Sequence, residues 1–185
     1  MVKKKMSFNE AKELFFSSDC STFIMARENL PEYKRYIELN IPKEMEQEWR
    51  EVKILEYYMA FKNGSFKEPT WILIDKMSEL VVYIKSAQSL ERIFETIKSA
   101  MNNLNDKERV IISETINGRK HISLRSGLIY LSFDIGEISL AKQFSSLSLE
   151  LANLTTNNID LLNRADNSKQ LCNQIVDELF NQERK

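Results

Sequence analysis

Only 4 glycines and 3 prolines occur among 185 residues, and this shortage constrains the fold more than any motif does. Hairpins and sandwich corners draw on residues that take a positive φ or preset a turn, and this chain has few to offer. An all-β fold is set aside and an all-α fold is expected. With 43% apolar residues, a chain of this length can bury about 70% of its unfolded surface. One all-helical domain over 1–185 therefore needs no metal or disulfide to hold it.

Lys plus Arg number 26 against 27 Asp plus Glu, a net charge of −1, so nothing at whole-chain level advertises a polyanion or a membrane surface. Lys3, Lys4 and Lys5 resemble the basic start of a signal peptide, but Glu10, Lys12 and Glu13 stand where its apolar region belongs. The nearly uncharged run Ser126 to Phe133, closed by Asp134, falls far short of the roughly 18 residues of a membrane span. The expectation is a soluble, cytoplasmic chain without membrane contact, in which Cys20 and Cys172 stay reduced.

The catalytic inventory is thin. His121 is the single histidine, and metal sites and nucleophilic triads commonly depend on imidazole. A pair between His121 and Cys20 or Cys172 has no local support, so the thiols read as small core residues and His121 as part of a basic turn. Gly64, Gly118, Gly127 and Gly136 lie too far apart for a phosphate-cradling loop. The break at Asp19-Cys20-Ser21-Thr22, with Arg27 and Glu28 beyond it, reads as helix capping. No catalytic residue, metal site or cofactor is expected.

Along the chain the apolar spacing is helical. Ser7 and Glu10 make a capping box, and Ala11, Leu14 and Phe15, then Phe23, Ile24 and Met25, carry one broken or two short helices over 7–29. Pro31 and Pro42 mark two further starts. The clearest helix, 42–62, puts Met45, Trp49, Val52, Leu55 or Glu56, and Met59 on one face and stops at Asn63-Gly64. Helices over 69–85 and 88–103 follow, and Asn105 with Glu108 caps the next, which runs to Asn117-Gly118. Asn-Gly is also a hairpin signal, but Val110 to Leu124 does not alternate cleanly, so a helix end is preferred there. Segments from Ile122 to Asp134, Gly136 to Leu154, Ile159 to Leu162 and from Asp166 onward complete nine to ten short antiparallel helices. They pack as a multi-helix bundle or a short helical array of the TPR or HEAT kind.

Ser126-Gly127-Leu128-Ile129-Tyr130, with Ala141-Lys142-Gln143-Phe144 and Ser148-Leu149-Glu150-Leu151, resembles a tetratricopeptide helix pair, although Tyr130 to Ala141 is about two residues longer than the family spacing. That resemblance implies a peptide- or protein-binding array in which Gly127 lets the paired helices approach and Tyr130 fills the gap. Residues 105–154 are also similar to the helix-turn-helix of sigma-factor-like regulators, with Glu137 to Phe144 as recognition helix. This implies duplex DNA as partner, with Arg119, Lys120, Arg125 and Lys142 as its phosphate contacts. The chemistry leans the other way, because that helix exposes Glu137 and offers mainly Lys142, Gln143 and serines toward base edges. Nine basic against 6 acidic groups over 76–125 is a small excess for phosphate binding.

One uneven patch remains. Glu44, Glu48 and Glu51 fall on one face of the 42–62 helix, while Glu46 and Arg50 stand at pairing distance. Trp49, Tyr57 and Tyr58 cluster nearby, and Trp and Tyr are frequent interface anchors. The expectation is therefore a non-enzymatic protein-binding helical module, an immunity protein that neutralises a toxin or a regulatory adaptor, with a basic protein as the natural complement of Glu44, Glu48 and Glu51. A helix-turn-helix regulator is the alternative.

Overall fold

The computed structural model describes residues 6–17, 31–118 and 127–155, together with a few positions between 159 and 174. Every regular element among these is helical, as the scarcity of turn-formers predicts. In chain order they are α1 (Phe8–Ser17), α2 (Pro31–Glu38), α3 (Lys43–Lys62), α4 (Thr70–Val81), α5 (Ala87–Ala100), a 3-10 turn (Met101–Asn103), α6 (Asp106–Asn117), α7 (Leu128–Asp134) and α8 (Ile138–Leu154). Against α3 pack α1, α4 and α5; α8 packs against α6 and α7; and α4 and α5 join the two groups through α6, α7 and α8.

Local chemistry sets most boundaries. The Ser7 N–H donates to Glu10 Oε2 at 2.6 Å and the Glu10 N–H to Ser7 Oγ at 3.2 Å, closing the box that starts α1. The same reciprocal pair joins Asn105 and Glu108 at 2.9 and 3.0 Å, and α6 then runs to Gly118 at φ 87°. The hairpin alternative fails there. Ser86 caps α5, its Oγ accepting from the Ser89 N–H at 3.2 Å. The helix expected over 69–85 ends at Val81, and Ile84 folds back into the core from the turn beyond it.

One continuous core takes side chains from all eight α-helices, with Phe15, Ile54, Met77, Ile97, Ile112, Leu128 and Phe144 among its members. Phe94 of α5 meets Phe144 of α8 edge-on, centroids 5.5 Å apart. A smaller cluster joins Ala152 to Ala165. A polar contact joins α6 to α8: Asn117 Nδ2 donates to Ser148 Oγ at 2.8 Å and also to the carbonyl of Ser113 in its own helix at 2.9 Å.

Two expectations need correction. Of the helix predicted from Ile122 to Asp134, residues 122–126 lie outside the described residues, and the described helix runs Leu128–Asp134 with Gly127 as its N-cap. Gly127 is thus outside the first helix of the tetratricopeptide-like pair. Its close approach is to the backbone of Ile116, Asn117 and Gly118 at the end of α6. The second correction concerns α3. Of Met45, Trp49, Val52, Leu55 and Met59, only Trp49 enters the core. The physical reason is that α3 has two apolar faces, and the one carrying Trp49, Ile54, Tyr57 and Phe61 is larger and aromatic.

Candidate functional site

The α3 helix starts after Pro42, whose carbonyl accepts from the Glu46 N–H at 3.1 Å. Glu44 and Glu46 lie in the first turn, where unpaired N–H groups favour carboxylates. The far end closes when Asn63 donates to the Met59 carbonyl at 3.0 Å, with Gly64 at φ 65° turning the chain away.

The inward face of α3 is unusual for what it contains. Trp49 packs on Phe15 and Phe16 of α1, centroids 5.6 and 6.4 Å away. Arg50 and Lys53, only 4% and 6% exposed, point the same way. Arg50 Nη2 bonds Glu46 Oε1 at 2.6 Å, and its guanidinium lies 4.7 Å from the Tyr83 ring centroid. Lys53 Nζ donates to the Phe15 carbonyl at 2.9 Å and sits 5.5 Å from the ring of the same residue. Aromatic faces and a helix-end carbonyl are both partners that tolerate a desolvated cation.

The outward face is the reverse. Met45, Val52, Leu55 and Met59 are exposed by 36, 45, 38 and 47%. At 100° per residue they form one stripe along the helix. Glu44, Glu48, Glu51 and Glu56 are exposed around it. The middle of α3 has thus sent its cations inward and left an apolar strip with acidic edges facing out.

Of the residues expected at a protein interface, Glu44, Glu48 and Glu51 lie on this face, while the aromatic ones do not. Trp49 is a core residue at 7% exposure. Tyr57 is half-buried and meets Phe66 edge-on, centroids 6.4 Å apart. Tyr58 is half-buried on the α5 side: its hydroxyl donates to Glu95, and Lys62 lies 5.3 Å from its ring centroid. The Glu95 hydrogen bond holds the Tyr58 phenol above the ordinary tyrosine range, with some desolvation adding to it. The apolar members of the face, Met45, Val52, Leu55 and Met59, share a predicted face with Trp49 but stand exposed while Trp49 is buried. The signal that finds them is the seven-residue recurrence of positions 45, 52 and 59, separate from the aromatic set at 49, 57 and 61.

Of the basic set expected for DNA, Arg119, Lys120 and Arg125 lie outside the described residues, as do Cys20, His121, Cys172 and the 19–28 break. Lys142 is exposed on α8, the one cation of that helix, and Glu137 stands exposed at its N-terminus. Arg109 is engaged in packing: Nη1 bonds Asp106 Oδ1 at 3.0 Å and the Leu154 carbonyl at 2.9 Å. Among the described residues no cluster of three or more His, Cys, Asp or Glu could hold a metal ion, and no helix is long and apolar enough to cross a membrane. Comparison with protein-family models, curated proteins and solved structures finds no match to this chain.

Proposed function

We propose that this chain is a non-enzymatic, cytoplasmic protein-binding module whose contact surface is the outward face of α3. The observation that carries the reading is the inversion of that helix: Met45, Val52, Leu55 and Met59 exposed, Arg50 and Lys53 buried. Large apolar side chains left in a row on a folded surface cost free energy in water that a partner recovers by covering them, at roughly 25 cal/mol for each Å². The acidic edge supplied by Glu44, Glu48 and Glu51 adds direction, because charge complementarity speeds encounter and rejects wrong partners. An immunity protein that masks a toxin and a regulatory adaptor are the two versions of this reading. The helix-turn-helix reading draws less support, since Lys142 is the one cation on α8 and duplex binding rests on several phosphate contacts.

The test compares the full chain with its Val52→Asp/Leu55→Asp variant in a pull-down from native extract. The variant keeps its helical circular dichroism and its melting temperature because both sites are exposed. A stoichiometric partner retained by the parent and lost by the variant supports the reading. A partner held equally by both overturns it.

A further inference from the structure

Resting on the protein-binding reading of α3, we propose that the occupant of this face is a basic amphipathic helix of about four turns, with one apolar stripe and lysines or arginines along its flanks. Met45, Val52 and Met59 recur every seven residues with Leu55 between them, the spacing of a seam between two helices. From Met45 to Met59 the seam runs about 21 Å along the axis at ~1.5 Å per residue. Methionine at both ends suits such a seam, because its flexible thioether adapts to the side chains it meets.

Charge selects the occupant. Glu44 and Glu51 fall along one edge of the seam, Glu56 along the other and Glu48 within it, all exposed. Of the four cations of α3, Arg50 and Lys53 are buried on the opposite side of the helix, and Lys62 reaches Glu95 of α5 at 3.9 Å. A second copy of this chain docking α3 on α3 would bring these four carboxylates against the same four, in either direction, which is destabilising. An anionic lipid surface meets the same repulsion. Lysine or arginine flanks turn each of these contacts into an attraction and set the partner's register.

Three fluorescent peptides, each about 18 residues long so that helix can form, share one leucine stripe and differ in flanks of lysine, glutamine or glutamate. Titration with the full-length protein, followed by anisotropy, is expected to rank them lysine, glutamine, glutamate. Three rim contacts worth about a factor of two to three each give the lysine peptide roughly a fifteen-fold advantage over the glutamine one, shrinking with added salt. The Glu44→Lys/Glu48→Lys/Glu51→Lys/Glu56→Lys variant is expected to reverse the order. If all three peptides bind equally and Val52→Asp/Leu55→Asp abolishes them, the α3 face binds helices but the basic occupant is wrong. If none binds, or binding survives Val52→Asp/Leu55→Asp, the face reading and the helical occupant fall together. A lysine preference that persists in the charge-reversed variant places the contact elsewhere and overturns the proposal.

Discussion

The ammonium of Lys53 donates to the main-chain carbonyl of Phe15 at 2.9 Å, so a side chain of α3 closes the last turn of α1. Carbonyls at a helix end lack intrahelical donors and carry partial negative charge. A cation delivered from a neighbouring helix satisfies both needs. Replacing it by an apolar side chain of similar length keeps the packing and leaves the Phe15 carbonyl without this partner. Lys53→Met is therefore expected to destabilise the fold by about 1–2 kcal/mol, read from the urea midpoint. Lys53→Arg, which keeps a cation there, should lose less.

Gly127 is required for space, not for backbone freedom. Its φ of −71° suits any residue, but an added Cβ would lie 2.5 Å from the Gly118 nitrogen and 2.7 Å from the Asn117 carbonyl carbon. Both are backbone atoms, which cannot swing aside. Gly127→Ala is expected to cost about 2–4 kcal/mol. Gly136 offers the contrast, with φ 84° and nothing within 4 Å of its added Cβ, so Gly136→Ala should cost only about 1 kcal/mol of backbone strain. Thermal denaturation of the two variants separates the mechanisms.

Asn117 ties α6 to α8 through Ser148, and Ser113 Oγ lies 3.4 Å from Ser148 Oγ in the same seam. Small polar residues let these helices approach and satisfy one another's hydrogen bonds. Asn117→Ala and Ser148→Ala are each expected to cost about 1–2 kcal/mol. Because they share a bond, the double variant should cost measurably less than the sum, and a double-mutant cycle by urea denaturation checks this.

Tyr58 is expected to titrate above the usual tyrosine range because its hydroxyl donates to Glu95. The raised value means that the fold prefers the protonated phenol. This contribution to stability is fully present below the unfolded-state pKa and is lost as pH rises through the folded-state one. Glu95→Gln should bring the titration down, as seen in the ultraviolet absorbance of the phenolate.

The capping boxes at Ser7 and Asn105 were legible because a box is a local device: four residues contain both hydrogen bonds. The end of α6 at Asn117-Gly118 was legible for a similar reason, once alternation was seen to fail around it. The acidic half of the candidate site, Glu44, Glu48 and Glu51, also follows from spacing alone. What spacing could not give was the rotation of α3 about its axis. The helix has two apolar faces, and the choice between them depends on Phe15, Phe16 and Tyr83, which receive Trp49, Arg50 and Lys53 from other parts of the chain. No local rule places a lysine in a core, because the carbonyl that holds it lies 38 positions away in sequence.

That rotation is itself open to a direct check at two residues only two positions apart. Helical periodicity alone groups Val52 with Trp49 and makes it core, yet Val52 is 45% exposed and Ile54 is 0% exposed. Removing atoms from a filled interior loses both their transfer energy and their packing, so Ile54→Ala is expected to cost about 2–4 kcal/mol. Val52→Ala removes a side chain that still meets water and should stay within about 0.5 kcal/mol of the parent. Even Val52→Lys should fold with an unchanged urea midpoint, since its long stem lies along the surface with the ammonium among Glu48, Glu51 and Glu56. A large loss at Val52 with a small one at Ile54 would mean that α3 is turned the other way. The acidic strip would then flank the protein's own core instead of a partner's helix.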